Sequence, residues 1–357
     1  FNKPTGSMTQ THHDKLTCVI PTHNRPAFLR RLLSFVEQTG QQFPIQITDS
    51  SDAARREENE RAVSRFSGQC PISYEHQSAG VFTKCRRTME RVTTPYTVFC
   101  ADDDFLIPDA VPGCVNFLER SPDYSCAQGA MVSLSTGKQN KCYLLTNYSL
   151  ESPNPLHRFQ QFASNWYSTF YSVCRTPLLT RTYQVVDSAS DYDRARIFPE
   201  ILHSQMTVIL GRVKYLPGFY NLREEHEQND SRLPIVQDLE YREELYASFR
   251  NCLAAELSES SGATLDHARA VVDSCYGYLR DGGIGLAKNK RTVAYRVKRE
   301  ITRHFRRIGD ALQTDRILQR RRLNMSDSMC QTAHGQLAFE LMLRYPTGIP
   351  DEAAAAA

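Results

Sequence analysis

The stretch LTCVIPTHNRP, residues 16–26, joins an apolar run to a short turn and the start of a helix. Leu16–Pro21 has the length and the continuous apolar character of a buried parallel strand. Pro26 suits the first turn of a helix, where its missing amide hydrogen costs nothing. Apolar residues then recur at helical spacing, at Phe28, Leu29, Leu32 and Val36. The stretch therefore predicts a strand, a turn and a helix in succession.

The same unit repeats along the first hundred residues. Further strands are predicted at 45–49, 72–76 and 96–101, and helices at 53–66 and 81–91 between them. Strands that alternate with helices through short connections indicate a parallel sheet covered by helices. Ligands of such sheets bind beyond the carboxyl ends of the strands. The residues expected there lie at 22–25, 49–52 and 102–104.

Beyond residue 110 the pattern loosens into a mixed continuation of the sheet and then a helical region. Short strands are predicted at Cys126–Leu134, Tyr167–Cys174 and Val213–Leu216, and helices at 238–257, 264–280 and 291–308. The expected organisation is an α/β domain over 15–233 and a helical C-terminal region over 234–350. Residues 1–14 are expected to be a tag or a disordered N-terminus, and residues 351–357 a tail or linker.

Charge is unevenly distributed over the 357 residues, whose formal net charge is +3. Residues 288–322 contain 13 Lys/Arg and three acids, a net +10, so the remainder is acidic at −7. Apolar side chains at three- and four-residue spacing within this segment predict a basic amphipathic helix, which either lies on an anionic membrane or packs with a solvated face. The packed helix is the preferred interpretation. Nucleic-acid binding is disfavoured, because no recognised module is present.

The eleven cysteines are scattered singly, without a CxxC pair. This pattern argues against a zinc site or a disulfide framework and favours a reduced interior. No apolar run reaches the roughly 18 residues needed to span a bilayer. A cytoplasmic location is expected, with peripheral attachment to the inner face of the membrane as a further option.

Three consecutive carboxylates, Asp102, Asp103 and Asp104, follow the strand predicted at 96–101. Adjacent carboxylates repel one another, so a cation or solvent must compensate for them. Oxygen ligands at a strand end suit Mg²⁺ or Mn²⁺, ions that often complete their coordination with substrate phosphates. The alternative is an acidic surface turn or a helix cap.

The order of these features resembles the start of a GT-A glycosyltransferase of glycosyltransferase family 2. Val19–Arg25, VIPTHNR, is similar to the family's opening VIPTYNR. The resemblance covers residues 15–230 and implies a Rossmann-like, mostly parallel sheet with flanking helices, to which the helical C-terminal extension is added. It also implies that Pro21, Thr22 and Arg25 lie against the donor nucleotide.

The resemblance assigns further donor contacts. Asp49 would meet the base, although residues 48–52 read TDSSD where the family usually has Asp-Asp-Gly-Ser. Lys84 would face the ribose or the diphosphate, or is otherwise an exposed helix lysine. Asp102 would lie near the ribose. Ala101 stands where many members have the first Asp of the DxD signature, so Asp102 becomes the stronger candidate for a donor contact.

For the metal, the resemblance implies Mn²⁺ or Mg²⁺. Asp103 falls on the family's metal-binding acid, with Asp104 beside the ion. The late sequence Arg223–His226, REEH, is similar to the family's Arg-x-x-His element, in which His226 would reach the metal or the diphosphate. A structural or solvated histidine is the alternative.

For catalysis, the resemblance places Glu200 about a dozen residues before Gly211, at the position of the family's base. A carboxylate there can remove the proton from an acceptor hydroxyl as it attacks the anomeric carbon. Asp191 or Asp193 is a rival base, and a simple helix-cap glutamate is another interpretation. Trp166, the only tryptophan, either stacks on an acceptor sugar or belongs to the core.

The function expected from the resemblance is metal-dependent transfer from a nucleoside-diphosphate sugar to a glycan or lipid-linked acceptor, with inversion, in polysaccharide or glycoconjugate synthesis. Two alternatives stay open. One is a nucleotidyltransferase that makes the activated sugar, which a Gly-rich phosphate loop after the first strand would favour. The other is an inactive GT-A-like domain that binds a glycan or a protein partner. No nucleic-acid partner is expected.

Overall fold

The first half of the sheet forms from the repeated strand–helix unit. The computed structural model describes residues 13–136, 140–145, 147–188, 197–226, 239–280, 314–315, 320–324 and 326–351. Its first elements are β1 (Leu16–Thr22), α1 (Pro26–Thr39), β2 (Ile45–Asp49), α2 (Ala53–Ser64), β3 (Ile72–His76), α3 (Val81–Met89) and β4 (Tyr96–Phe99). The four strands are parallel, in the order β3-β2-β1-β4. The predicted parallel α/β arrangement is confirmed.

The second half of the sheet is mixed. It contains β5 (Phe105–Leu106), α4 (Val111–Arg120), β6 (Tyr124–Ser135), β7 (Lys141–Leu145), α5 (Pro155–Ser164), β8 (Val173–Arg175), α6 (Thr176–Ser188), α7 (Ile197–Leu210), β9 (Arg212–Glu225), β10 (Thr314–Asp315) and β11 (Arg320–Leu323). From β4 the order continues β8-β6-β7-β11-β10, and β9 pairs parallel to β6 and antiparallel to β5. The strand predicted at Tyr167–Cys174 is wrong for most of its length, because only Val173 and Cys174 join β8.

The strands β6 and β9 are the longest of those described and pair with each other, and α7 leads directly into β9. Gly211 makes this connection. A Cβ at Gly211 would lie 2.6 Å from the backbone nitrogen of Ser125 at the start of β6, so only glycine fits without moving the chain. The tight turn fixes α7, and with it Glu200, against the sheet.

The remaining helices extend the core on both sides of the sheet. These are α8 (Leu239–Ser261), α9 (Leu265–Arg280) and α10 (Ala333–Arg344). In one hydrophobic cluster α8 and α9 share buried side chains with α5 and α7, including Phe159, Phe198, Phe249 and Tyr276. Burying each such aromatic ring stabilises the fold by about 1.5–3 kcal/mol. The boundary predicted near residue 233 lies outside the described residues.

The last helix, α10, packs on the face of the sheet that α1 covers. Phe339 of α10 stacks on Phe219 of β9, with ring centroids 5.7 Å apart, and Ile349 donates its backbone N–H to the carbonyl of Ala27 at 2.9 Å. The predicted basic helix at 291–308 lies outside the described residues. Of the basic segment, Arg320–Arg322 belong to β11, beside β7.

The structure bears on two expectations from the sequence, namely unpaired cysteines and the lack of a membrane-spanning segment. All eleven cysteines are free thiols, and nine of them are buried. Among the helices that the structure describes, none is both long enough and apolar enough to cross a membrane.

Candidate active site

A cavity of about 1210 Å³ opens beyond the carboxyl ends of the first strands. Most of the site residues expected from the sequence line it. They are Pro21, Thr22, Arg25, Lys84, Asp102, Asp103, Asp104, Trp166 and Glu200. Side chains separated by up to 179 residues therefore meet in one concave space, as parallel α/β sheets generally arrange their ligand sites.

Arg25 is bound to the first two carboxylates of the triplet. Its Nη1 donates to Oδ1 of Asp102 at 2.8 Å, and its Nη2 donates to Oδ2 of Asp103 at 2.7 Å. Thr22 adds a hydrogen bond of 2.7 Å to the other oxygen of Asp102. Burial raises the pKa of Asp102, although the charge of Arg25 opposes that shift. The cation that a carboxylate triplet requires is thus supplied in part by the chain itself.

Asp103 and His226 form the second feature of the triplet. Nε2 of His226 lies 2.9 Å from Oδ2 of Asp103, and the imidazole stacks on Phe28 with centroids 5.1 Å apart. Burial would raise the pKa of Asp103, but the hydrogen bond with His226 and the charge of Arg25 outweigh it, so the pKa is lowered. Asp103 is therefore an ionised carboxylate at neutral pH.

Asp104 turns to a different set of partners. Its Oδ2 accepts a hydrogen bond from the hydroxyl of Tyr171, and its Oδ1 accepts one from the backbone N–H of Glu224 at 2.8 Å. Arg223 lies 3.7 Å from the same carboxylate. Burial and the negative charge of Asp103 raise the pKa of Asp104. These contacts anchor Asp104 to β9, away from the Asp103–His226 pair.

Arg223 connects the triplet to the opposite side of the cavity. Burial would lower its pKa, but the nearby Tyr171 hydroxyl and the charges of Asp104, Asp103 and Glu200 raise it. The guanidinium of Arg223 thus lies within the electrostatic field of both the triplet and Glu200. A negatively charged ligand in the cavity would meet this cation between the two groups of acids.

Asp49 lies behind the cavity wall. It is fully buried, and its carboxylate accepts hydrogen bonds from Ser51 Oγ at 2.5 Å, Asn59 Nδ2 at 3.0 Å and Tyr74 Oη at 2.5 Å. Burial would raise the pKa of Asp49, but these bonds together lower it. Ser50, the next residue, lines the cavity. These bonds anchor Asp49 at the strand end, and its contact with the base, expected from the resemblance, stays a prediction.

Lys84 is buried, only 2% exposed, which excludes the alternative of an exposed helix lysine. Its Nζ donates to the carbonyl of Thr22 at 2.5 Å and to Oγ of Ser50 at 3.0 Å. The ammonium group therefore joins the carboxyl ends of β1 and β2 at the cavity wall. Lys84 lines the cavity, and its contact with the ribose or the diphosphate stays a prediction.

Glu200 lies in the first turn of α7 and lines the cavity. Trp166 lines the same space and is 40% exposed, so the core interpretation of Trp166 is wrong. Asp191 and Asp193, the rival bases, lie outside the described residues. Of the predicted acceptor-side groups, the structure thus brings Glu200 and Trp166 to the cavity.

The residues present fit a divalent cation that is bound jointly with a substrate. Oδ2 of Asp103 and Nε2 of His226 lie 2.9 Å apart, and Mg²⁺ and Mn²⁺ accept such oxygen and nitrogen donors. Nη2 of Arg25 lies 2.7 and 3.2 Å from these two atoms, so Arg25 would have to move when an ion binds. Among the described residues, no three His, Cys, Asp or Glu side chains form a metal site by themselves. An ion here would need further ligands, which a diphosphate provides.

Comparison with known proteins identifies the family. The sequence profile of glycosyl transferase family 2 matches residues 17–193. This chain is a family 2 glycosyltransferase of the GT-A fold. The match favours a glycosyltransferase over the nucleotidyltransferase that the sequence left open. No curated protein matches the chain by sequence.

Solved structures agree with the fold of a family 2 glycosyltransferase. S. aureus TarS is 12% identical with a TM-score of 0.52, and the match covers 77% of this chain and 45% of TarS. This chain thus spans less than half the length of that protein. TarS 1-349 in complex with UDP-GlcNAc is 13% identical with a TM-score of 0.52, covering 76% of this chain and 75% of the other. At such identities the likeness shows the fold alone.

Several residues of this site belong to no recognisable sequence motif. Arg31 is buried in α1 and donates to the carbonyl of Asp103 at 2.6 Å. Tyr171 belongs to a segment that the apolar pattern assigns to a strand. His203 lines the cavity three residues after Glu200, and only that helical spacing points to it.

Proposed function

We propose that this glycosyltransferase moves a sugar from a nucleoside-diphosphate sugar to a glycan or lipid-linked acceptor, with inversion at the anomeric carbon, in polysaccharide or glycoconjugate synthesis. The observation that carries the proposal is that one cavity is lined both by the Asp102–Asp104 triplet and by Glu200. Cation-binding and proton-accepting groups thus face a common space in which a donor and an acceptor can meet.

The donor side is supported by the cationic groups around the triplet. Lys84 at the ends of β1 and β2, Arg25 on Asp102 and Asp103, and Arg223 beside Asp104 bring three positive charges to the cavity. Such groups attract a diphosphate and stabilise the charge that develops on it as it leaves. We assign Pro21 and Thr22 to the nucleotide and Asp102 to the ribose, on their place in the cavity wall.

We assign the divalent cation, Mn²⁺ or Mg²⁺, to Asp103 and His226. When bound, the ion would neutralise charge on the leaving diphosphate. The ion pair with Arg25 holds the Asp103 carboxylate ionised and in place. Asp104, which is anchored on Tyr171 and Glu224, would lie beside this site and fix the backbone of the triplet.

On the acceptor side, Glu200 would remove the proton from the attacking hydroxyl. A carboxylate that deprotonates the acceptor as the diphosphate leaves would suit one displacement, which inverts the anomeric centre. Asp191 remains the rival base. Trp166, whose ring is 40% exposed in the cavity wall, offers a face on which an acceptor sugar can stack.

Residues 288–322 carry the proposal of a membrane contact. Their net +10 charge suits an anionic lipid surface and would bring a cytoplasmic enzyme to a lipid-linked acceptor. Sedimentation with anionic vesicles tests this proposal. Binding that weakens when arginines in the segment are replaced by glutamate supports it, and absence of binding contradicts it.

The reaction is tested by a thermal-shift screen of nucleotide sugars, with and without Mn²⁺, followed by transfer assays with the stabilising donor. Asp103→Asn and Glu200→Gln should each lower kcat about 10²-fold or more, because each removes a charge used in the reaction. The anomeric configuration of the product, read by NMR, distinguishes inversion from retention.

Matched controls are available on the surface. Asp266→Asn changes a side chain that is 93% exposed, and Glu57→Gln changes an exposed residue of α2; neither should alter the rate. Full transfer activity in both Asp103→Asn and Glu200→Gln would refute the proposed roles.

A further inference from the structure

His203 is a buried polar side chain in the wall of the cavity. It is 4% exposed and lines the space together with Glu200 and Ser204. The backbone of Thr169 lies near the ring, but in the part of the chain that the structure describes neither Nδ1 nor Nε2 of His203 makes a hydrogen bond of normal geometry. Buried polar groups in folded proteins almost always have one. An unsatisfied ring at the cavity wall therefore points to a ligand that supplies the missing partner.

The position of the His203 ring is fixed by its neighbours. It packs against Tyr183 and Phe170, with centroid separations of 5.4 and 6.0 Å. It lies three residues after Glu200 on α7, so the two side chains project from the same face of the helix. The ring is thus held about one helical turn from the proposed base, in a wall that aromatic side chains complete.

The protonation state of His203 indicates which ligand it suits. Burial lowers its pKa to about 4, opposed only by the backbone of Thr169. The ring is therefore neutral at neutral pH and offers one N–H donor and one nitrogen acceptor. A phosphate would prefer a cation. A hydroxyl, which both donates and accepts, matches a neutral imidazole.

The surrounding wall supports a sugar as the carrier of that hydroxyl. Phe170 and Tyr183 contact His203, and Trp166 lines the same cavity. Aromatic rings cover the apolar face of a sugar while a few polar groups fix its orientation. We propose that His203 is a specificity-determining residue that hydrogen-bonds one hydroxyl of a sugar held beside Glu200. This inference rests on the proposed glycosyl transfer and specifies which part of the cavity reads the sugar.

The test compares His203→Phe, which keeps the ring and removes both nitrogens, with His203→Asn, which restores a donor and an acceptor. The control His157→Phe changes an exposed histidine of α5. Each variant is assayed with the donor found in the screen, both for transfer and for donor hydrolysis without acceptor. His203→Phe should lower kcat/KM about tenfold to a hundredfold, as expected for a lost hydrogen bond to a buried group. His203→Asn should recover part of the loss.

The two assays distinguish the sources of the hydroxyl. A fall in both hydrolysis and transfer assigns His203 to the donor sugar. A fall in transfer alone assigns it to the acceptor. Unchanged kcat/KM in both assays for His203→Phe, with the wild type active, overturns the inference and leaves the proposed function intact.

Deoxy analogues of the two substrates provide a test that needs no variant. The wild type should discriminate against the analogue that lacks one particular hydroxyl, and His203→Phe should lose that discrimination. Equal use of every deoxy analogue by the wild type overturns the inference even if His203→Phe does not fold. If no nucleotide sugar stabilises or reacts with the wild type, the proposed function itself fails.

Discussion

Replacing Arg31 by methionine should destabilise the fold strongly, because Arg31 lies at a buried junction of the active site. Both Arg31 and Glu224 have side chains that are fully buried, and their ion pair measures 2.7 Å. The guanidinium also donates to the carbonyls of Asp103 at 2.6 Å and Tyr345 at 2.8 Å. One side chain thus ties α1 to the triplet, to β9 and to the end of α10.

The magnitude follows from the charge that is left behind. Methionine fills much of the space but leaves the Glu224 carboxylate in the interior without its cation. Breaking a buried pair in this way costs about 3–5 kcal/mol. Arg31→Met combined with Glu224→Gln removes both charges, so the double variant should be destabilised by at least about 1 kcal/mol less than the sum of the two single variants.

Urea unfolding followed by far-UV circular dichroism measures these free energies. The control is Arg56→Met, which removes an exposed ion pair with Glu60 on α2 and should leave the free energy of unfolding almost unchanged, because solvent screens such pairs. A cost below about 1 kcal/mol for Arg31→Met, or single-variant costs that simply add in the double variant, would refute the interpretation of Arg31 as a buried electrostatic junction.

Three further predictions concern binding, backbone conformation and pH. Lys84→Met should raise the Kd for the donor about tenfold, measured by calorimetry, because a buried charge-assisted contact at the cavity wall is lost; an unchanged Kd would exclude a donor contact. Gly348→Ala should lower Tm and cost about 2 kcal/mol or more of stability, since Gly348 has φ +82° and a Cβ would lie 2.2 Å from the carbonyl carbon of Ala27. The control Gly262→Ala, at φ +72° with free space around the Cβ, should cost only about 1 kcal/mol. Equal losses of Tm in the two variants would contradict this prediction. Burial lowers the pKa of His203 in the folded chain to about 4, against 6.5 for an ordinary histidine, so as pH falls below 6.5 the unfolded chain binds the proton first. Between pH 7 and 4 the free energy of unfolding of the wild type should therefore fall by about 3 kcal/mol more than that of His203→Phe. Parallel pH profiles of the two proteins would contradict this prediction.

The elements of the first hundred residues could be predicted almost to the residue. The strands at Ile45–Asp49 and Ile72–His76 and the start of α1 at Pro26 are found as expected. Their signals are local: a short apolar run, a turn and a proline at a position where its missing N–H is harmless. The parallel order follows from the alternation of strands and helices, which leaves few topologies open.

The segment before β8 shows where local patterns fail. It is rich in apolar residues, as expected of a strand, yet Tyr167 and Tyr171 are buried through separate contacts. The hydroxyl of Tyr167 donates to the carbonyl of Tyr148 at 2.7 Å, whereas Tyr171 is bound to Asp104. A short apolar run does not by itself reveal which partner buries it. For Tyr171 the partner is Asp104 of the candidate active site and not a neighbouring strand.

The sequence by itself determined that three carboxylates follow the fourth strand of a parallel sheet, and that a cation must meet them there. Only the tertiary structure decided which partners each of the three carboxylates contacts. Asp102 and Asp103 share Arg25, Asp103 also meets His226, and Asp104 turns to Tyr171. Consecutive residues in a turn point in different directions, and the partners of Asp103 lie 78 residues before it and 123 residues after it. Such pairings arise when the chain packs, so no local pattern contains them.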